Sequence, residues 1–520
     1  MAKSRTTKSE TTKPRISVET AKLRRDAALA RVPTGIAGLD TILHGGLLKS
    51  RLYIVEGRPG VGKTIFGNQI CFNHIRENRR AIFVTLLAET HALMLEHLAG
   101  MSFFDASKIP DQISYLNAFS ELHDRGLKGL AVLLRNEVSN QGASLLVLDG
   151  LLPAQQMADS VLEFKRFIHE LQVQASLAEC TTILLTSSSG DEVSAEHTMV
   201  DGVLEMRDKL YGWRAESDIQ VRKFRGGNFL RGRHAFEITD DGIVVYPRLE
   251  ALYAYPSRVD RTSNGKTSLG IAQLDKMLGG GVPTASTTVV MGPSGSGKTA
   301  LGLHFLAKST DKERGLLFGF YETPARIAAK ARGVCTALTP KLKSGKVEIV
   351  WQPPTADLLD AFGERLLQAI RQRKIRRLFI DGLGGFERAA VDPNRLHHYF
   401  LALANELRAL GVTTIYSAEN AEILGPTVRA PLGGISGIAE NLIMLRFVQH
   451  GTAVHRLMSI LKIRDSRFDS SLYRFALTPD GITIDSVPQD VSSFLATPST
   501  PLTVMPAERR RSRSSRKSPR

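Results

Sequence analysis

Two glycine-rich octapeptides, GRPGVGKT at 57–64 and GPSGSGKT at 292–299, carry the clearest chemistry in this chain of 520 residues. Both fit G-x-x-x-x-G-K-[ST], a loop whose successive backbone N–H groups wrap a phosphate. Gly57, Gly60 and Gly62, and likewise Gly292, Gly295 and Gly297, let the backbone close on the anion. Lys63 and Lys298 are spaced to reach the β- and γ-phosphates of a nucleoside triphosphate. Thr64 and Thr299 are spaced to offer a hydroxyl to Mg²⁺. Two nucleoside triphosphate sites are therefore expected.

Two further residue patterns suit the same chemistry. The apolar runs SLLVLDG and RRLFIDG end near Asp149 and Asp381. An apolar run closed by Asp reads as a buried parallel strand with a carboxylate at its C-terminal edge, where it can order Mg²⁺ and its waters. Each half then carries K-x-R, as Lys223 and Arg225 in VRKFRGG and as Lys462 and Arg464 in ILKIRDS. Strand alternation puts both cations of a pair on one face. Like charges so placed repel unless an anion lies between them or solvent screens them, and both settings are open.

The elements that position these residues come in duplicate. TGIAGLDTILHGGLLKSRLYIVEGRPGVGKT recurs as LGIAQLDKMLGGGVPTASTTVVMGPSGSGKT, with Gly35, Asp40, Gly46 and Lys63 each offset by 235 from Gly270, Asp275, Gly281 and Lys298. A constant offset over such a length indicates a tandem duplication. RLYIVEG and STTVVMG are β-rich runs leading into the phosphate loops, and a helical stretch follows each. HAFEITDDGIVV and YRFALTPDGITI each hold an Asp-Gly turn and predict a terminal hairpin. The expected fold is α/β, two tandem phosphate-loop NTPase domains, each a mainly parallel central sheet flanked by helices. Domains are expected at 31–250 and 266–486 with a linker at 251–265.

Composition sets the limits. The hydrophobic fraction of 42% and charged fraction of 23% are ordinary for soluble globular protein. The net charge of +16 is concentrated at the ends: residues 1–26 hold eight Lys or Arg against three acidic residues, and 507–520 hold seven against one. A basic disordered arm over 1–30 and a disordered Ser/Arg-rich tail over 487–520 are expected, able to touch nucleic acid or an acidic partner. The body between them is close to neutral. No apolar run approaches the roughly 18 residues that span a bilayer. MAKSRTTKSE leads into no apolar stretch, so a cytoplasmic protein without membrane contact is expected. Cys71, Cys180 and Cys335 form no C-x-x-C pair and read as core residues.

The order G-h-x-x-L-D-x-x-h-x-G-G, phosphate loop, hhhhD strand, K-x-R and F-x-I-x-x-x-G-I resembles the KaiC family of RecA-like ATPases over about residues 31–250 and 266–486. The resemblance implies RecA-like domains, ATP with Mg²⁺, and a homo-hexameric ring with ATP between subunits and regulatory protein partners. It also implies that Lys223, Arg225, Lys462 and Arg464 reach a neighbour's γ-phosphate. Two departures bear on activity. The family's paired glutamates, one of which activates the attacking water, are single here: Glu89 beside Ala88, and Glu322 beside Tyr321. Of the family's neighbouring Ser and Thr phosphoacceptors, Ser436 remains while Gly437 replaces the Thr. The expectation is a regulatory ATPase that hydrolyses ATP slowly, with serine/threonine autokinase activity at Ser436 as a further reading. A RecA-like DNA-binding ATPase and a non-hydrolysing nucleotide-sensing scaffold are the alternatives.

Overall fold

A computed structural model describes residues 30–86, 91–187, 195–259, 265–353, 358–420, 438–450, 453–464, 466–478 and 481–487. Glu89 and Ser436 lie outside these residues, as do both basic ends. The chain forms two compact units. The first comprises 1–259, 353–371 and 386–406, and the second comprises 260–352, 372–385 and 407–520.

Each unit is built on a nine-stranded sheet, and the two sheets share one strand order. In the first, Leu52–Gly57 is central, between Thr181–Ser187 and Gly202–Tyr211. Leu145–Asp149, Ala81–Thr85 and Ile113–Asn117 continue one side, all parallel. On the other side, Arg214–Phe224, Arg233–Thr239 and Gly242–Tyr246 are added antiparallel, the last two as the expected Asp-Gly hairpin. In the second sheet Thr287–Gly292 takes the central place, Ile375–Asp381 supplies the aspartate, and Tyr473–Thr478 with Gly481–Ser486 closes the edge. This is the RecA-like α/β arrangement, present twice.

Burial explains why these segments are strands. Strands covered on both faces read as continuous apolar runs, and every residue of Leu52–Gly57 and Thr287–Gly292 is buried. Alternation then splits the first core in two. Tyr53 and Val55 pack with Phe66 and Ile70 of the phosphate-loop helix Lys63–Ile75. Leu52 and Ile54 pack on the opposite face, with Leu130 and Leu134 of the helix Phe119–Gln141 and with Phe164 and Phe167 of Val161–Leu177. The last helix starts at Ser160, whose hydroxyl accepts from Glu163 N at 3.1 Å, while Glu163 reaches back to Asp159 N at 2.8 Å.

The repeated G-h-x-x-L-D segment has a structural explanation. Asp40 accepts from Thr34 N at 2.8 Å, Thr34 Oγ1 at 2.7 Å and Gly35 N at 3.0 Å. Asp275 does the same for Ser268 Oγ and for Leu269 N at 2.7 Å. Gly46 and Gly281 have φ of 111° and 125°. A Cβ on either would stand 2.3 Å from a carbonyl oxygen, that of Val32 or Thr267. These duplicated residues fasten the chain that enters the phosphate-loop strand.

Among the described residues no helix is long and apolar enough to cross a membrane. Cys71, Cys180 and Cys335 are free and buried. Burial pushes the Cys180 thiol up to about 12, so it is inert near neutrality.

The phosphate-loop helix of the second unit, Lys298–Ala307, backs closely onto its sheet at Gly302, where a Cβ would stand 2.3 Å from the Phe379 ring. Overpacking of this kind costs about 1–3 kcal/mol. The chain has two tryptophans, Trp213 and Trp351, so in a Trp213→Phe background Trp351 emission reports the second unit alone. There, Gly302→Ala is expected to lower the urea midpoint by an equivalent amount; an unchanged midpoint contradicts the packing described.

Candidate nucleotide sites

Each site begins where a buried strand turns into a helix. Gly62 and Gly297 stand immediately before the helices Lys63–Ile75 and Lys298–Ala307 with φ of 101° and 108°, a left-handed conformation that favours glycine. The first-turn N–H groups of each helix have no partner within it, and the helix dipole adds partial positive charge there. The loop and helix start together form an anion seat.

The lysines face this seat from within. Lys63 Nζ donates to the carbonyls of Gly57 at 2.8 Å and Arg58 at 2.9 Å. Lys298 Nζ donates to Gly292 at 2.8 Å and Pro293 at 2.7 Å. Burial lowers the Lys63 pKa, against which Asp149 acts, and lowers that of Lys298, against which Glu419 and Asp381 act. Ammonium groups held on loop carbonyls can transfer those hydrogen bonds to phosphate oxygens.

Both threonine–aspartate pairs are formed. Thr64 Oγ1 donates to Asp149 Oδ2 at 2.8 Å. Thr299 Oγ1 lies 3.1 and 3.3 Å from the two Asp381 oxygens. A hydroxyl and a carboxylate so close, at the C-terminal edge of two parallel strands with one strand between them, fit Mg²⁺ held by few protein ligands together with waters and phosphate oxygens. Among the described residues no cluster of three or more His, Cys, Asp or Glu could hold a metal by itself.

The second site has a partner that its sequence did not single out. Ser417 Oγ donates to Asp381 Oδ1 at 2.7 Å and accepts from Gly382 N at 2.8 Å. Burial raises the Asp381 pKa, while the bonds from Ser417 and Thr299 lower it. Val55 is level with Leu185, and Val290 with Ser417, so the first copy has an apolar residue at this position. Only the strand register reveals the correspondence.

The candidate water-activating residues differ from a simple glutamate pair. Glu322 is ion-paired with Lys330. The Tyr321 ring lies over Gly382, where a Cβ would stand 2.6 Å from it, next to Asp381. An aromatic ring thus occupies the neighbourhood of the metal-ordering carboxylate.

The K-x-R pairs sit elsewhere on the sheet. Lys223 is the next-to-last residue of the strand Arg214–Phe224, and Arg225 follows in the turn. They share one acceptor, Thr198 O, at 3.0 Å from Lys223 Nζ and 2.8 Å from Arg225 Nη2, so they do lie on one side. In the second copy Lys462 Nζ donates to Ala439 O at 2.8 Å, and Arg464 N donates to Glu440 O at 3.1 Å. A β-bulge precedes each lysine: Leu204 pairs with Val221 but Val203 with Lys223, and Ile443 pairs with Ile460 but Leu442 with Lys462. Such bulges re-aim the side chains around them.

Comparison with known proteins agrees with this duplicated site. The chain is 26% identical over 498 residues to the circadian clock oscillator protein KaiC of Parathermosynechococcus lividus, covering 92% of this chain and 90% of that one. It is 26% identical over 469 residues to the protein of the same name from Synechococcus elongatus, covering 87% and 89%. A family model described as "ATPase: KaiC" matches twice, at residues 32–250 and 267–489. Both copies fall almost wholly within those two matches, and on that ground the chain belongs to the KaiC family of ATPases.

Proposed function

We propose that the protein is an ATP-dependent regulatory ATPase working as a homo-hexameric ring, in which each nucleotide site is completed by a cation pair from a neighbouring chain. Bound Mg·ATP supplies the reactive γ-phosphoryl group. Within one chain, the phosphate loop, Lys63 and Thr64 with Asp149 seat and orient it, and Lys298 and Thr299 with Asp381 do so in the second copy.

The observation that carries the ring is strand register. Lys223 is level with Val203, and Val203 with Ile54, three residues short of Gly57. That gap is about 10 Å along the strands, with two strand spacings of about 10 Å in total across them. It exceeds the reach of a lysine side chain. Lys462 stands likewise, level with Leu442 and so with Val289, three residues short of Gly292. Cations that cannot serve their own loop are suited to a neighbour's γ-phosphate, which also relieves the repulsion within each pair.

Slow turnover follows from Tyr321 and Glu322. A phenol does not replace a carboxylate as a base for water, and losing such a base costs about 10²–10⁴ in rate. The same observation favours the second reading, a nucleotide-sensing scaffold that does not hydrolyse. Autokinase activity rests on Ser436 alone, and DNA binding on the basic ends alone.

ATP carrying a γ-phosphate label separates these readings. Slow release of labelled phosphate is expected; labelled protein abolished by Ser436→Ala adds the kinase, and neither product leaves the scaffold. Lys63→Ala and Lys298→Ala should each remove one of two bound ATP molecules, and undiminished stoichiometry in the double variant contradicts the site assignment. Native mass spectrometry with saturating Mg·ATP should show hexamers, and monomers alone would refute the ring.

A further inference from the structure

Glu56 is the last residue before the first phosphate loop, and it lies on the core face of its strand that Leu52 and Ile54 share. It is a carboxylate, 2% exposed, in a row that is otherwise apolar. His197 Nε2 donates to its Oε2 at 3.0 Å. Its Oε1 has no hydrogen bond among the described residues, and Arg222 Nη1 stands 3.6 Å away. Arg222 is the bulged residue just before Lys223, and its Nε is 3.3 Å from Glu205 Oε2. A buried carboxylate with one good hydrogen bond depends heavily on that bond.

The donor belongs to the short turn Ala195–Thr198, which also holds the cation pair. Lys223 Nζ donates to His197 O at 2.7 Å and to Thr198 O, and Arg225 donates to Thr198 O as well. One turn therefore joins two places: His197's ring is fastened to the residue that opens the phosphate loop, and its backbone carbonyls aim Lys223 and Arg225. The second copy keeps the lysine–carbonyl contact, and among the described residues it shows no counterpart of this link. Met291 stands in register with Met444 where the first copy has Glu56 with Glu205. Leu461 occupies the bulge where the first copy has Arg222.

We propose that the Glu56–His197 pair is a positioning link in the first copy, through which the state of a protomer's own phosphate loop sets the aim of the cations it offers to the next protomer. The link rests on the trans-acting role of Lys223 and Arg225 given above. His197 faces Glu56 from the phosphate-loop strand, Arg222 and Lys223 from Arg214–Phe224, Glu205 from Gly202–Tyr211 and Glu196 from its own turn. The helix Val161–Leu177, packed on that turn, contributes Phe164, Phe167 and Ile168 to the surrounding core. The hydrogen bond that His197 donates to Glu56 holds the imidazole pKa above its ordinary 6.5, with burial and Arg222 opposing. A group whose folded pKa is raised contributes its charge-assisted share of the link fully at low pH and loses that share as pH rises through that value.

The test uses the full chain with Lys298→Ala, so that phosphate release reports the first copy, between about pH 6 and 9. Turnover is expected to fall as pH rises. His197→Gln and Glu56→Gln should each lower turnover about 10- to 100-fold at the acid end, through misplaced cations, and flatten the profile. ATP stoichiometry should stay the same. Lys223→Ala should lower turnover at every pH, by about 10³-fold. If Lys223→Ala has no effect, the cation reading fails and the link fails with it. If Lys223→Ala is crippled while His197→Gln keeps the parent rate and slope, the link alone is overturned. A slowed His197→Gln that retains the parent slope also overturns it, because a merely structural role would behave so. Should His197→Gln not fold, Glu56→Gln is read by the same criteria, and a flat profile in the parent protein is equally decisive against the link.

Discussion

Parallel strands all end on the same side of a sheet, and the chemistry of both copies depends on that constraint. The loop after Leu52–Gly57 and the carboxylate at the end of Leu145–Asp149 share one edge because their strands run the same way. The threonine on the first helical turn then meets the aspartate without further design. The strand carrying Lys223 runs antiparallel, so its end falls toward the opposite edge. One topological fact thus gathers the loop, threonine and aspartate of each candidate site and keeps Lys223 away from the loop of its own copy. In the proposed ring a neighbouring chain supplies what the topology takes away.

Identical architecture supports two chemically different surroundings. Beneath the first loop lies an ionic cluster of Glu56, His197, Arg222 and Glu205, where the second copy has Met291, Met444 and Leu461. Conversely, Asp381 has Ser417 as a hydrogen-bond donor, at a position where Asp149's neighbour strand has Leu185. The second copy also places Tyr321 beside its aspartate. Duplicated geometry with divergent polar contacts is what a division of labour between two sites requires. In the proposed Glu56–His197 link, the first copy is the one that responds to protonation.

Legibility in the sequence followed the range of each interaction. The phosphate loops, the helices after them and the aspartate strands were readable because their residues are neighbours in the chain or close an apolar run. The terminal hairpins were readable from Asp-Gly. Asp40 and Asp275 were visible as a repeat, but their work as acceptors for turn N–H groups needs the folded loop. Ser417 and the Glu56–His197 pair were not visible, because each contact spans strands far apart in sequence and is fixed only by register. The bulges at Arg222 and Leu461 were equally hidden, since a bulge belongs to a pair of strands and leaves no mark on either alone.

The central claim, that cations and loop come from different chains, is tested most directly by mixing two inactive proteins in the Lys298→Ala background. One carries Lys63→Ala, with a defective loop and intact cations; the other carries Lys223→Ala, with an intact loop and defective cations. The account predicts that ATP turnover in the mixture clearly exceeds the sum of the two separate activities. Activity that stays at that sum, in mixed hexamers confirmed by native mass spectrometry, would contradict it.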